Sequence, residues 1–207
     1  MKHEIAQCKM LYLGTNNRKK IVELIQLLEP RGFEIKVPGD FSDVFDVDET
    51  GATFLENARL KAISQARHRG MWAIGEDSGL CVPALGGRPG IYSARFSGPE
   101  ANDQTNNALL LKEMQSIPTE KRRAHYVSTI VLSDPAGGIH IETQGECWGR
   151  ILTELRGTGG FGYDPLFEIV EYHQTFAEMG LGVKRAISHR ARALRAFLNQ
   201  LDEMIVS

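Results

Sequence analysis

The chain is 207 residues long, 42% hydrophobic and 24% charged, which is enough for one sizeable core and too ordinary for a disordered or low-complexity protein. Its 24 Lys and Arg against 26 Asp and Glu leave a formal net charge of −2 and exclude a broadly basic nucleic-acid surface. A polyanionic ligand must therefore be met by a local cluster of cations.

Cys8, Cys81 and Cys147 are odd in number, far apart and without CxxC spacing. Neither a disulfide framework nor a zinc site is expected, and a reducing cytoplasm fits best. The start, MKHEIAQCKM, has no apolar leader, and no run is long enough to span a bilayer. The expectation is a soluble cytoplasmic protein with no membrane partner.

Lys9 to Leu13 reads as a short strand running into Gly14-Thr15-Asn16-Asn17-Arg18-Lys19. A helix follows with apolar Ile21, Val22, Leu24, Ile25, Leu27 and Leu28, and it stops at Pro30-Arg31-Gly32. Asn16 or Asn17 serves as its N-cap. Strand, small polar turn and helix together turn free N–H groups and a helix dipole toward a phosphate, although no GxxxxGK[ST] loop is present. Lys19 and Lys20 oppose the dipole of the first turn, so one of them is expected to face an anion.

Phe33 to Val37 reads as a second strand, followed by an acidic loop in which Glu49 is the candidate for a metal-linked group. A capping box, Thr53-Phe54-Leu55-Glu56, opens a helix running to Arg69, with Gly70 at its C-terminal stop. Lys61 falls toward its polar side. Met71 to Ile74 is a short buried strand, and Glu76 and Asp77 are expected where it ends. Adjacent side chains on a strand point to opposite faces, so a turn at Ser78-Gly79 is needed to bring both acids to one hard cation.

That acid pair opens the stretch Gly75 to Gly98, GEDSGLCVPALGGRPGIYSARFSG, whose glycine density suits close backbone approach. Beyond it, Asn102 or Asp103 caps a helix that ends before Pro118. Strands over Ala124 to Leu132 and Ile139 to Trp148 flank an Asp134–Gly138 hairpin turn. Ile151 to Leu155 reads as another extended piece, and Gly157 to Asp164 as a second Gly-rich region. Leu166 to Val170 is a strand, Thr175-Phe176-Ala177-Glu178 a second capping box opening a short helix, and Ser188 the start of the last helix. No repeat, linker or domain boundary is evident, so residues 1–207 read as one α/β domain with a mixed sheet.

Four ordered blocks, the Gly75–Gly98 stretch, Gly14–Lys19, Phe161-Gly162-Tyr163-Asp164-Pro165 and Ser188-His189-Arg190, resemble the signature of the inosine triphosphate pyrophosphatase family. The resemblance implies a long twisted mixed sheet flanked by helices, two lobes around an active-site cleft, and a homodimer. It also implies a Mg²⁺-dependent enzyme that hydrolyses ITP, dITP and XTP to the monophosphate and pyrophosphate, cleansing the nucleotide pool. By that resemblance Gly14, Thr15, Asn16, Asn17, Arg18, Lys19 and Lys61 hold the triphosphate, and Asp77 is the general base with Glu49 and Glu76 around the metal. Phe161, Gly162, Tyr163, Asp164, Lys184, His189 and Arg190 surround the base. Ser78 and Arg95 complete the substrate-binding set. The chain departs from the family pattern at Gly14-Thr15, where serine or threonine then glycine is usual, and at Ala191.

The residues themselves permit this chemistry. Asn16, Lys19, Lys61, Arg95, Lys184 and Arg190 offer cations and donors for phosphate, and Glu49, Glu76 and Asp77 offer hard oxygens for magnesium. A carboxylate within reach of water serves as base. Phe161 and Tyr163 offer stacking surface for a purine. His189-Arg190 places two basic residues in a first helical turn, which favours an electron-rich partner there. Two other readings use the same residues: a nucleotide pyrophosphatase with another base preference, and a non-catalytic nucleotide-binding regulator.

Overall fold

The computed structural model describes residues 10–15, 17–43 and 45–206. Among them, seven strands form one mixed sheet in the order β2-β1-β3-β4-β5-β6-β7, flanked by helices. The strands are β1 (Met10–Leu13), β2 (Glu34–Lys36), β3 (Trp72–Cys81), β4 (Arg123–Ser133), β5 (Ile139–Ile151), β6 (Phe167–Ile169) and β7 (Gln174–Thr175). The helices are α1 (Arg18–Leu28), α2 (Phe54–Arg69), α3 (Asp103–Glu113), α4 (Leu181–Ile187) and α5 (His189–Val206). β1 pairs in parallel with β2 and with β3, Leu11 opposite Trp72 and Leu13 opposite Ile74. β6 pairs antiparallel with β5 and β7. No helix among the described residues is long and apolar enough to cross a membrane.

Contacts divide the chain into two compact units. The first takes in the described parts of Met1–Asp77, Thr129–Gln144 and Ala193–Ser207. Its core gathers Leu11, Leu13, Leu24, Leu28, Trp72, Ile130, Leu132, Leu194, Phe197 and Leu201. The second takes in Ser78–Ser128 and Gly145–Arg192, with a core of Leu80, Leu110, Met114, Tyr126, Leu166, Phe167 and Phe176.

Local signals explain most boundaries. Asn17 Oδ1 accepts the N–H of Lys20 at 3.3 Å and so caps α1, and Gly32 closes the following turn at φ +85°. Thr53 Oγ1 accepts from Glu56 N at 3.1 Å to start α2, and Gly70 at φ +62° ends it. Asn102 caps α3, and Ser188 Oγ accepts from Ala191 N at 3.2 Å to cap α5.

Three expectations change. β3 does not end after Ile74 but runs on to Cys81, through Glu76, Asp77 and Ser78, so there is no turn at Ser78-Gly79. Gly75 permits close packing here, and neither it nor Gly79 breaks the strand. β5 extends to Ile151, and residues 152–155 are not strand. The second capping box does form, with Thr175 N donating to Glu178 Oε2 at 2.8 Å and Glu178 N to Thr175 Oγ1 at 3.2 Å. It closes a single turn after β7, and the helix begins only at Leu181.

Candidate active site

The first unit carries an acid–lysine cluster built on β3, α1 and α2. Gly75 makes it possible: a Cβ there would lie 2.3 Å from Ala58 O and 2.5 Å from Ala62 N, so the α2 backbone approaches β3 only because the position is glycine. That approach sets Asn57 and Lys61, one helical turn apart, against Asp77. Lys61 Nζ stands 3.1 Å from Asp77 Oδ1, 2.7 Å from Glu49 Oε1 and 3.3 Å from the Glu76 carbonyl oxygen. Lys61, on the polar side of α2, is therefore an internal cation rather than a solvated one.

Asn57, wholly buried, donates from Nδ2 to Asp77 Oδ2 at 3.2 Å and accepts from Gly51 N at 2.8 Å. Because Oδ1 is committed to that N–H, the NH₂ must face Asp77, and the carboxylate is the acceptor. Glu76, 5% exposed, projects from the alternate position of β3, and Lys20 Nζ of α1 lies 3.5 Å from its Oε2. The two neighbouring acids thus meet different helices.

Electrostatically the cluster holds more acid than base, three carboxylates against two ammonium groups. Burial pushes the Asp77 carboxyl above its ordinary pKa, and nearby Glu49 adds to this; Lys61 and Asn57 oppose the shift without cancelling it. Lys61 is desolvated as well, yet its two carboxylate partners outweigh that and raise its pKa, so it stays protonated. A carboxylate raised in this way keeps a proton more readily than a surface acid, which suits a general base. Among the described residues no three His, Cys, Asp or Glu side chains are gathered as a metal cage. Lys61 stands between Glu49 and Asp77, although the donors are of the hard-oxygen kind that magnesium takes.

At the phosphate-loop candidates, Gly14 N donates to Ile74 O at 3.2 Å and Gly14 O accepts from Gln65 Nε2 at 3.2 Å. Thr15 Oγ1 accepts from Asn17 N at 3.2 Å. Asn16 lies outside the described residues, and of Arg18 and Lys19 only the backbone is described. Lys20 is the first-turn lysine seen facing an anion.

The second unit gathers an aromatic and cationic group. Asp164, 2% exposed, accepts from Phe161 N through Oδ2 at 2.8 Å and pairs with Lys184 Nζ through the same oxygen. Lys184 Nζ lies 4.5 Å from the Phe161 ring centroid, and Arg190 Cζ lies 5.9 Å from it. Arg190 Nη2 reaches Ser78 Oγ at 3.4 Å. Tyr163 is buried, donates from its OH to Ser93 O at 2.8 Å, and has its phenol pKa raised chiefly by burial. The His189 ring stacks on Tyr126, centroids 4.7 Å apart and planes 12° apart. Arg95 is surface-exposed, its guanidinium 5.3 Å from the Tyr92 centroid.

Sequence reasoning missed Asn57 and Tyr126 and left open which of Lys19 and Lys20 faces an anion. Asn57 had a readable signal, its i,i+4 spacing to Lys61 on one helix. Lys20 was weighed with its neighbour, but first-turn sequence cannot tell which lysine turns toward β3.

A sequence profile of the Ham1 family matches residues 11–200. A dITP/XTP pyrophosphatase from Rhodopirellula baltica is 48% identical over 197 residues, 95% of each chain. Another from Desulforamulus reducens is 45% identical, covering 95% of this chain and 97% of the relative. The structure of the Staphylococcus aureus Ham1 protein superposes with a TM-score of 0.87 at 34% identity, covering 94% of this chain and 99% of that one.

Proposed function

The chain belongs to the Ham1 family, and from that footing we propose that it is a pyrophosphohydrolase of aberrant purine nucleoside triphosphates: dITP, XTP and ITP. It converts each to the monophosphate and pyrophosphate, a hydrolysis of an acid anhydride that clears the nucleotide pool. The observation that carries the mechanism is the Lys61 ammonium shared by Glu49 and Asp77, with the Asp77 carboxyl raised by burial.

In this reading Asp77 takes a proton from water as its oxygen bonds to the α-phosphorus, and the bond from that phosphorus to the bridging oxygen breaks to release pyrophosphate. Lys61 and the Gly14–Lys19 turn, with Lys20 beside it, supply positive charge and N–H donors to the triphosphate. Asn57 holds the Asp77 carboxylate in one orientation. Glu49, Glu76 and Asp77 are the protein groups that would hold Mg²⁺, which when bound would neutralise phosphate charge. Phe161 gives the purine a stacking surface and buried Tyr163 anchors the same loop through Ser93, while Lys184, paired with Asp164, Arg190, beside Ser78, and His189 read its edge. Arg95 contributes a further cation toward the substrate. Residues 1–207 act as one pyrophosphatase domain, in the cytoplasm and as a homodimer, with no nucleic-acid or membrane partner.

The test is a substrate panel of ITP, dITP, XTP, dUTP, ATP and GTP with pyrophosphate detection at varied Mg²⁺. Turnover confined to the first three supports the reading. Preference for a modified pyrimidine, or ITP binding with no turnover at any Mg²⁺ concentration, overturns it.

A further inference from the structure

Gly162 is gripped through both of its backbone polar groups. Its N–H donates to Asp103 Oδ2 at 2.7 Å, and its carbonyl accepts from Asn107 Nδ2 at 2.8 Å. Both partners stand on the first turns of α3, four residues apart and so on one face. Asn107 is 5% exposed, and its Nδ2 also donates to the Asp103 carbonyl at 2.7 Å. Both of its contacts are acceptors, which fixes the amide's orientation with its NH₂ toward them. Gly162 has φ +61°, a left-handed conformation, and with Gly160 at φ +75° it turns the loop carrying Phe161, Tyr163 and Asp164.

The neighbouring Asn106 does the same for a second loop. Its Oδ1 accepts from Ser97 N at 2.8 Å, and its Nδ2 donates to Ala94 O at 3.2 Å. Tyr163 then ties the two loops together through Ser93 O at 2.8 Å. Asp103 is exposed, and no step of the proposed reaction needs an acid at that place.

We propose that Asp103 and Asn107 are positioning residues for base recognition, setting the loop of Phe161, Tyr163 and Asp164 by holding the left-handed Gly162 within it. This rests on the reading that the loop meets the purine. An anionic acceptor on a backbone N–H is stronger than a neutral one and more directional than packing, so it holds a glycine that has no side chain to hold.

The experiment compares binding of IMP with inhibition by inorganic pyrophosphate, which has no base, in the full chain and its variants. Asp103→Ala is expected to weaken IMP and raise KM for ITP about tenfold, with kcat changed less than about threefold, on loss of one charge-assisted bond. Pyrophosphate inhibition should stay within about twofold, since its contacts are to phosphate alone. Asp103→Asn, whose amide oxygen still accepts the Gly162 N–H, should recover most of the loss. Equal weakening of IMP and pyrophosphate, or no recovery by the asparagine, overturns the proposal. Should Asp103→Ala fail to fold, as a melting curve would report, Asn107→Ala carries the same comparison. Phe161→Ala separates the two readings. If it leaves IMP binding unchanged the base site itself is wrong, whereas a loss there with none in Asp103→Ala and Asn107→Ala overturns the positioning role alone.

Discussion

Lys61 and Asp77 lie 3.1 Å apart, ammonium to carboxylate, yet the carboxyl sits above its ordinary pKa instead of below it. Burial is the largest cause, and Glu49 shares the same ammonium, so one positive charge is spread over two acids. The pair is therefore poised rather than simply neutralised.

Asp77→Asn should abolish turnover while nucleotide binding survives. The amide cannot take a proton from water, and it is a weaker metal ligand. The loss should fall on kcat far more than on KM, because binding rests on the cations. Steady-state kinetics with ITP check this, and retention of most of the activity would remove Asp77 from the mechanism.

The acid limb of the pH–rate profile should report the same group. A base works only when ionised, so a raised carboxyl pKa places the fall in kcat/KM at a higher pH than the value of about 3.9 for an unperturbed aspartate. Lys61→Met removes a group that lowers the Asp77 pKa, and the limb should move higher still. A limb that stays in place shows that another group is titrating.

Lys61→Ala should also weaken triphosphate binding more than monophosphate binding, by roughly tenfold to a hundredfold if one desolvated charge-assisted contact is lost. Calorimetry with a non-hydrolysable ITP analogue and with IMP gives the comparison. Equal losses for both ligands would place the ammonium away from the β- and γ-phosphates.

Arg190→Ala should depress kcat/KM for ITP strongly and for ATP little. Hypoxanthine presents an acceptor at its 6-position where adenine presents an amino donor, so a donor-lined pocket leaves adenine's amino group facing another donor. Such sites discriminate by roughly 10⁴-fold or more. The Arg190 guanidinium lies 5.9 Å from the Phe161 ring centroid and 3.4 Å from Ser78 Oγ. A common factor for both substrates would assign it to phosphate or to packing.

Arg122 offers a stability test away from the chemistry. Its buried guanidinium donates to four backbone carbonyls, those of Met114, Ile117, Ile151 and Leu152. Arg122→Ala removes all of these contacts together and should cost about 3 kcal/mol or more. Arg122→Lys, which lacks the planar fork, should recover only part. Denaturant unfolding measures both, and a cost under about 1 kcal/mol would mean that water replaces the side chain without penalty.

What was legible in the sequence had a local cause. Thr53 and Gly70 bound α2 because a cap and a left-handed stop act within a few residues. Glu76-Asp77 and the Phe161–Asp164 run stood out in the same way, as adjacent acids and as an aromatic, glycine and acid cluster. The end of β3 was not legible: glycine reads as a breaker until the helix that needs its missing Cβ is known. Nor was the Thr175 turn, whose capping box satisfies its own donors without a helix to continue into. Asn107 acts through an amide whose partner, Gly162, lies 55 residues away, a separation no local pattern encodes.

Gly75 leaves the chain with no means of adjusting one dimension of itself. The gap between α2 and β3 is already at backbone contact, so even a methyl group must move the helix that carries Asn57 and Lys61. Helix packing and the spacing of the charged groups are consequently a single variable. A lineage that changed one would have to rebuild the other in the same step, and no polar substitution at 57 or 61 alone could restore the register.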